Sequence, residues 1–214
     1  MSSKKSAKRR QPVFLNAGCG SSNPDRLPAL FRSWKQVKVD IDPSVKPDLV
    51  TSITDLSGLA DDSVDAVWSA HCVEHLYAHE VPQALGEFRR VLREDGFACI
   101  VVPDLQAIAQ WIAEDRLNET IYRSPAGDVT AHEMIWGYGP ALAQANTAMA
   151  HHCGFTPTPL IQCLAAAGFG EIMVRRKSSL ELVGLALCRS SEGAAGNAGK
   201  SAGSIEATMA RLGL

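Results

Sequence analysis

No run of apolar residues in this chain approaches the roughly twenty needed to span a bilayer, which argues against membrane insertion. The first residues also lack the apolar core of a secretory leader, so a cytoplasmic location is expected. None of the six cysteines falls into a CxxC spacing. Together with the missing leader, this predicts reduced, mostly buried thiols. The opening ten residues hold no acid, only Lys4, Lys5, Lys8, Arg9 and Arg10 among the charged types. A solvated, disordered basic arm over residues 1–11 is expected from that composition. Without those five charges the chain carries 16 basic against 23 acidic residues. An acidic body argues against a domain built to grip nucleic acid. No internal repeat is visible.

What is present suits a single globular domain: 214 residues with 46 % hydrophobic content. The stretch Val13-Phe14-Leu15-Asn16-Ala17-Gly18-Cys19-Gly20 organises the rest. Three apolar residues predict a short buried strand, and Gly-x-Gly predicts a tight turn that a ligand can approach closely. A second strand, Val37 to Ile41, carries Asp40, twenty residues after Gly20. That is about the interval at which doubly wound folds place an acid against two ribose hydroxyls. The turn lacks the third glycine of the dinucleotide fingerprint, which disfavours a dehydrogenase.

Further segments extend the pattern: Asp65 to Leu76, which contains Val73-Glu74-His75, and Phe88-Arg89-Arg90-Val91-Leu92-Arg93-Glu94-Asp95-Gly96-Phe97. In this order and spacing, the sequence resembles the class I S-adenosylmethionine-dependent methyltransferases, closest to a small-molecule branch. The resemblance covers residues 13–104. It implies an α/β, Rossmann-like, doubly wound sheet of seven strands, mostly parallel, with an antiparallel terminal hairpin. It also implies S-adenosyl-L-methionine as cofactor and methyl transfer to a small molecule, a glycan or a lipid precursor. Cofactor contacts are expected from Asn16, Ala17, Gly18, Cys19, Gly20, Asp40, Ile41, Ser52, Ile53, Ser69 and Ala70. Ser52 stands where the family usually has an acid for the adenine amino group, a departure that leaves a hydroxyl but no charge. That departure keeps open a fold relative that binds the cofactor without transferring a methyl group. An aminopropyltransferase-like enzyme is the other alternative, disfavoured because His71-Cys72-Val73-Glu74 lacks that family's acidic substrate motif.

Further strands are expected at 48–50, 64–69, 97–102, 171–177 and 180–188, alternating with helices as a parallel sheet requires. Pro24 and Pro28 should bracket a short helix to Ser33, capped by Asn23. His71 to Leu92 should be one helix, or two broken near Pro82, closed by Asp95-Gly96. A helix follows over Leu105 to Leu117, and another over Thr156 to Ala167. Between them, residues 118–155 lose any period, and a stretch of that length is more often a functional cover than a connection. Residues 12–189 would then form the catalytic domain. Residues 190–214 read as a flexible tail, Gly/Ala/Ser-rich through Ser204, with a short amphipathic helix over 205–214.

Methyl transfer from a sulfonium needs binding, orientation and a dry site more than acid–base chemistry. His71, at the end of the fourth strand, is the candidate catalytic residue, as base or orienting group. Glu74 could be an acid in the pocket, but the resemblance implies a structural hydrogen bond at a helix start. Asp61, Asp62 and Asp65 are expected to be solvated. Cys19 fits a small filler under the cofactor better than a nucleophile. Tyr138 and His152 are the candidate substrate contacts, Tyr138 being equally consistent with an aromatic packed under a loop. No metal site is expected. His71, His75 and His79 share one face of a helix, but i and i+8 lie roughly 12 Å apart and cannot converge. His132-Glu133 and His151-His152-Cys153 match no zinc spacing. Sequence leaves the oligomeric state open.

Overall fold

The computed structural model describes residues 10–21, 27–124, 126–189 and 204–214. Most of the basic arm, the Asn23 cap with Pro24, and the linker 190–203 lie outside the described residues. Seven strands form one sheet: β1 (Val13–Ala17), β2 (Lys35–Asp40), β3 (Leu49–Val50), β4 (Val64–Ala70), β5 (Leu92–Pro103), β8 (Glu171–Arg176) and β9 (Glu181–Leu187). A separate hairpin pairs β6 (Thr120–Ser124) with β7 (Gly127–Thr130). The main sheet runs β3-β2-β1-β4-β5-β9-β8, parallel except for β9, which is antiparallel to both neighbours. This is the expected architecture.

Pleat alternation divides the strand residues between two apolar layers. Leu15, Val67, Ala98, Ile100, Val102, Leu182 and Ala186 face α1 (Val81–Val91) and α5 (Pro157–Ala166), which contribute Leu85, Phe88, Leu160 and Leu164. Phe14, Ala66, Trp68, Cys99, Val101, Val183 and Leu185 face the other way. They meet Phe31 of the 3-10 turn Ala29–Ser33, and α6 (Ile205–Leu212). The tail is therefore not flexible to its end: Ile205, Met209 and Leu212 are buried in this second layer. Ser204 caps α6, its side chain accepting from Ala207 N, and Gly213 ends it in the left-handed conformation.

Four local expectations change. Pro82 does not break a helix but sits in the first turn of α1, where its missing N–H costs nothing. Residues 71–76 form a 3-10 turn, Val73–His75, instead of helix. Helix α1 also ends at Val91, four residues before Asp95, because Leu92 is already extended and joins β5 opposite Val64. Asp65 is not simply solvated: its carboxylate accepts from Val13 N at 2.7 Å and pairs with Arg10, pinning the start of β1. Asp61 and Asp62 are exposed, as expected, although Asp61 also meets Arg90 at 2.7 Å.

The aperiodic region is built. After α2 (Leu105–Ala113), the β6–β7 hairpin leads to α3 (Ala131–Trp136), α4 (Gly139–Ala143) and a 3-10 turn, Thr147–Met149. Thr130 and Glu133 make a reciprocal capping box at α3. Ile108, Ala131 and Met134 bury a small core of its own. Among the described residues no helix is long and apolar enough to cross a membrane.

Candidate active site

A cavity of about 920 Å³ opens at the carboxyl ends of β1, β2 and β4. This is where doubly wound sheets bind ligands, because the loops diverge there. The β1 turn forms one wall. Gly18 and Cys19 both donate backbone N–H groups to Val39 O, at 2.9 and 3.0 Å. Gly18 has φ +68°, and a Cβ there would lie 2.3 Å from Cys72 Sγ, so only glycine fits. Gly20 has φ +51° and nothing within 4 Å of where its Cβ would be. It leaves the backbone bare toward the cavity. Gly20→Ala should lower stability by about 1–2 kcal/mol, the cost of a side chain in the left-handed region. It should also weaken S-adenosylhomocysteine binding several-fold; urea unfolding and calorimetry read the two effects separately.

Asp40 closes β2 beside that turn. Its Oδ2 accepts from Gly20 N at 2.8 Å and its Oδ1 from Asp42 N at 3.0 Å. Each carboxylate oxygen keeps a lone pair for a further donor. Ser52 and Ile53 line the neighbouring wall; the Ser52 hydroxyl is already engaged with Thr54 Oγ1 at 2.8 Å. Asn16, Ile41 and Ala70 also reach the cavity, whereas Ala17 and Ser69 do not. Both are fully buried, and Ser69 shares the parity of Val67 while its neighbours Trp68 and Ala70 take the opposite face. The Cys19 thiol is pushed up by burial and by the charge of Asp40, so it stays protonated, as a filler would.

His71 follows β4 in the left-handed region, φ +51°, with its N–H on Val101 O at 2.9 Å. That turn aims the ring at two carboxylates. Nε2 lies 2.7 Å from Glu181 Oε1, and Nδ1 lies 3.3 Å from Glu74 Oε1. Burial alone would lower its pKa, but the hydrogen bond to Glu181 and the neighbouring charge of Glu74 outweigh it and raise the value to about 10. A ring held toward its charged form between two carboxylates suits orienting an acceptor better than taking a proton from it. Glu74 makes no hydrogen bond at a helix start: neither oxygen has a partner of hydrogen-bond geometry, and the His71 contact is an ion pair only.

The far end of the cavity is lined by His75, Asn146, Met149, Lys177 and Glu181, and Leu212 and Leu214 close one side. Sequence reasoning missed these, since only the fold brings them to β4. The two expected substrate contacts stand elsewhere. The Tyr138 hydroxyl donates to Ala126 O, under the β6–β7 turn. His152 is exposed and stacks on Tyr77 at 4.3 Å between centroids.

Residues 15–100 match the family model of a methyltransferase domain. Among solved structures, the chain resembles the 1,6-didemethyltoxoflavin-N1-methyltransferase of Burkholderia thailandensis at 18 % identity and TM-score 0.54, covering 85 % of this chain and 72 % of that one. It also resembles an S-adenosylmethionine-dependent methyltransferase from Methanosarcina mazei at 16 % identity and TM-score 0.55, over 86 % of this chain and 95 % of that one. A protein from Pyrococcus horikoshii OT3 is similar at 15 % identity and TM-score 0.58, over 84 % and 82 % of the two chains. Curated proteins gave no match. At such identities the structural likeness speaks for the fold. A bare glycine turn, a carboxylate free to accept two more donors and a cavity at the strand ends fit a nucleoside-bearing cofactor. Fold, sequence motifs and the methyltransferase domain matched over residues 15–100 agree with a class I S-adenosylmethionine-dependent methyltransferase.

Proposed function

We propose that this protein methylates a small molecule held between the His71–Glu181 pair and residues 146–149. The observation that carries the reading is one continuous cavity, running from the Gly18–Gly20 turn and Asp40 to Lys177 and Glu181. At about 920 Å³ it lies near the top of the usual range for small-ligand sites, enough for a nucleoside-sized cofactor and a compact acceptor together. The cofactor supplies an electrophilic methyl group on a sulfonium; the chain supplies position. In this reading Asp40 accepts the ribose hydroxyls, the bare Gly20 backbone lies along the other end, and Ile53 packs on the adenine. Ala70 and His71 then border the methyl group. His71 orients the acceptor, because both of its nitrogens are committed. Part of the segment 118–155, through Asn146 and Met149, covers the acceptor. The acceptor is read as a small molecule partly because the Burkholderia relative acts on one.

The deciding experiment pairs calorimetry of S-adenosylhomocysteine with labelled-methyl transfer across a panel of small hydroxyl, amine and carbon acceptors. Binding with turnover of at least one acceptor supports the reading. Binding without any turnover favours a cofactor-binding relative, a reading supported by the uncharged Ser52 and its bond to Thr54. Absence of binding overturns both.

A further inference from the structure

Glu74, His75 and His151 converge beside the acceptor end of the cavity. One carboxylate oxygen and one ring nitrogen from each histidine lie within 4.8 Å of one another. The residues come from distant segments, and the backbone holds those segments together. His152 N and Cys153 N both donate to Glu74 O, at 2.9 and 3.2 Å.

Each histidine is anchored by the nitrogen nearer its own backbone. His75 Nδ1 lies 3.0 Å from Ala150 O, and His151 Nδ1 lies 3.0 Å from Met134 O. A carbonyl can only accept, so each Nδ1 carries the proton and each Nε2 keeps its lone pair. That is the tautomer and the second-shell support found for metal-binding imidazoles. The rings pack edge to face, 4.7 Å between centroids. Glu74 supplies the second, independent observation. Its side chain is 0 % exposed, and neither oxygen has a hydrogen-bond partner. The nearest cation, His71, is shared with Glu181. Burying a carboxylate without hydrogen bonds is costly, and a cation bound to it would remove that cost.

We propose that Glu74, His75 and His151 form a binding site for a divalent first-row transition-metal ion, zinc foremost. Two imidazoles and one carboxylate are a donor set for zinc and for iron(II), whereas magnesium and calcium prefer oxygen alone. Donors at about 2.0–2.2 Å from a tetrahedral ion stand roughly 3.3–3.6 Å apart, so donors now within 4.8 Å of one another must draw in by at most about 1.5 Å. Three protein ligands leave a position open, and His75 stands in the cavity wall. An acceptor with a hydroxyl, amine or carbonyl group would fill that position. This last assignment rests on the methyl-transfer reading; the metal site itself does not.

The test uses the full chain, stripped of metal and kept reduced with a phosphine. Zinc titrated by calorimetry should bind one equivalent, and His151→Ala should weaken it at least tenfold. Cobalt(II) should give visible d–d bands without the near-ultraviolet thiolate band that Cys72 or Cys153 would add. S-adenosylhomocysteine affinity should be unchanged in His151→Ala, which also shows that the variant is folded; Glu74→Gln is the second variant. Zinc binding retained in His151→Ala, a thiolate band, or no zinc binding at all would overturn the site. Zinc binding in a chain that binds no S-adenosylhomocysteine would leave the metal site standing and sink the methyltransferase reading instead.

Discussion

Asp40→Ala should weaken S-adenosylhomocysteine binding by at least tenfold in calorimetry, while Asp42→Ala does much less. Hydrogen bonds to a charged group contribute roughly 1.5–3 kcal/mol each, so even one net loss corresponds to about a tenfold to hundredfold change in affinity. The two aspartates differ in what they are free to do. Asp40 ends β2 and turns its carboxylate to the Gly20 turn. Asp42 lies beyond the strand and is spent on a cap: its Oδ1 accepts from Ser44 N at 2.8 Å. Asp40→Ala also removes an acceptor from Gly20 N, so the melting temperature of the free protein must be measured alongside. A loss of stability with unchanged affinity would mean that Asp40 only braces the turn. Equal loss of affinity in both variants would mean that the ligand reaches past the strand end.

The second large effect concerns the last helix. Met209→Ala should destabilise the protein by about 2–4 kcal/mol, the usual cost of truncating a fully buried methionine. In a chain of this size that corresponds to a fall of roughly 5–15 °C in Tm. Met209 is 0 % exposed and belongs to the layer containing Phe14, Phe31 and Trp68. The same substitution should weaken S-adenosylhomocysteine several-fold, because Leu212 and Leu214 stand in the cavity wall. Thermal unfolding checks the first claim and calorimetry the second. An unchanged Tm would show that 204–214 is a loose tail after all.

The sheet and the glycine turn were legible because their signals are local. Apolar runs such as Val13 to Leu15 and Phe97 to Val102 are buried on both faces. Gly18 follows the end of β1, and Pro103 is the last residue of β5. Ala17 and Ser69 show the limit of motif reading: a motif locates a segment, but pleat parity decides which residues face the ligand. The hairpin β6–β7 escaped notice because each strand is only four or five residues long and half-buried, so no alternation develops. Helix α6 was visible as an amphipathic stretch, yet nothing local says that its apolar face meets a sheet whose first strand begins at Val13. Glu74, His75 and His151 were each considered, but by spacing along the chain. Their convergence is a property of the fold, created by the backbone bonds at Glu74 O.

The position of α6 has a consequence for synthesis. Phe14 leaves the ribosome long before Ile205, which packs in the same buried layer. At about 5–20 residues per second, the interval between them is on the order of 10–40 s. During that time the face of the sheet holding Phe14 and Trp68 lacks part of its cover. A nascent chain stalled before Ser204 would present an open apolar surface to chaperones and to its own neighbours. Aggregation of this protein should then depend more on how quickly α6 emerges than on how quickly its sheet assembles.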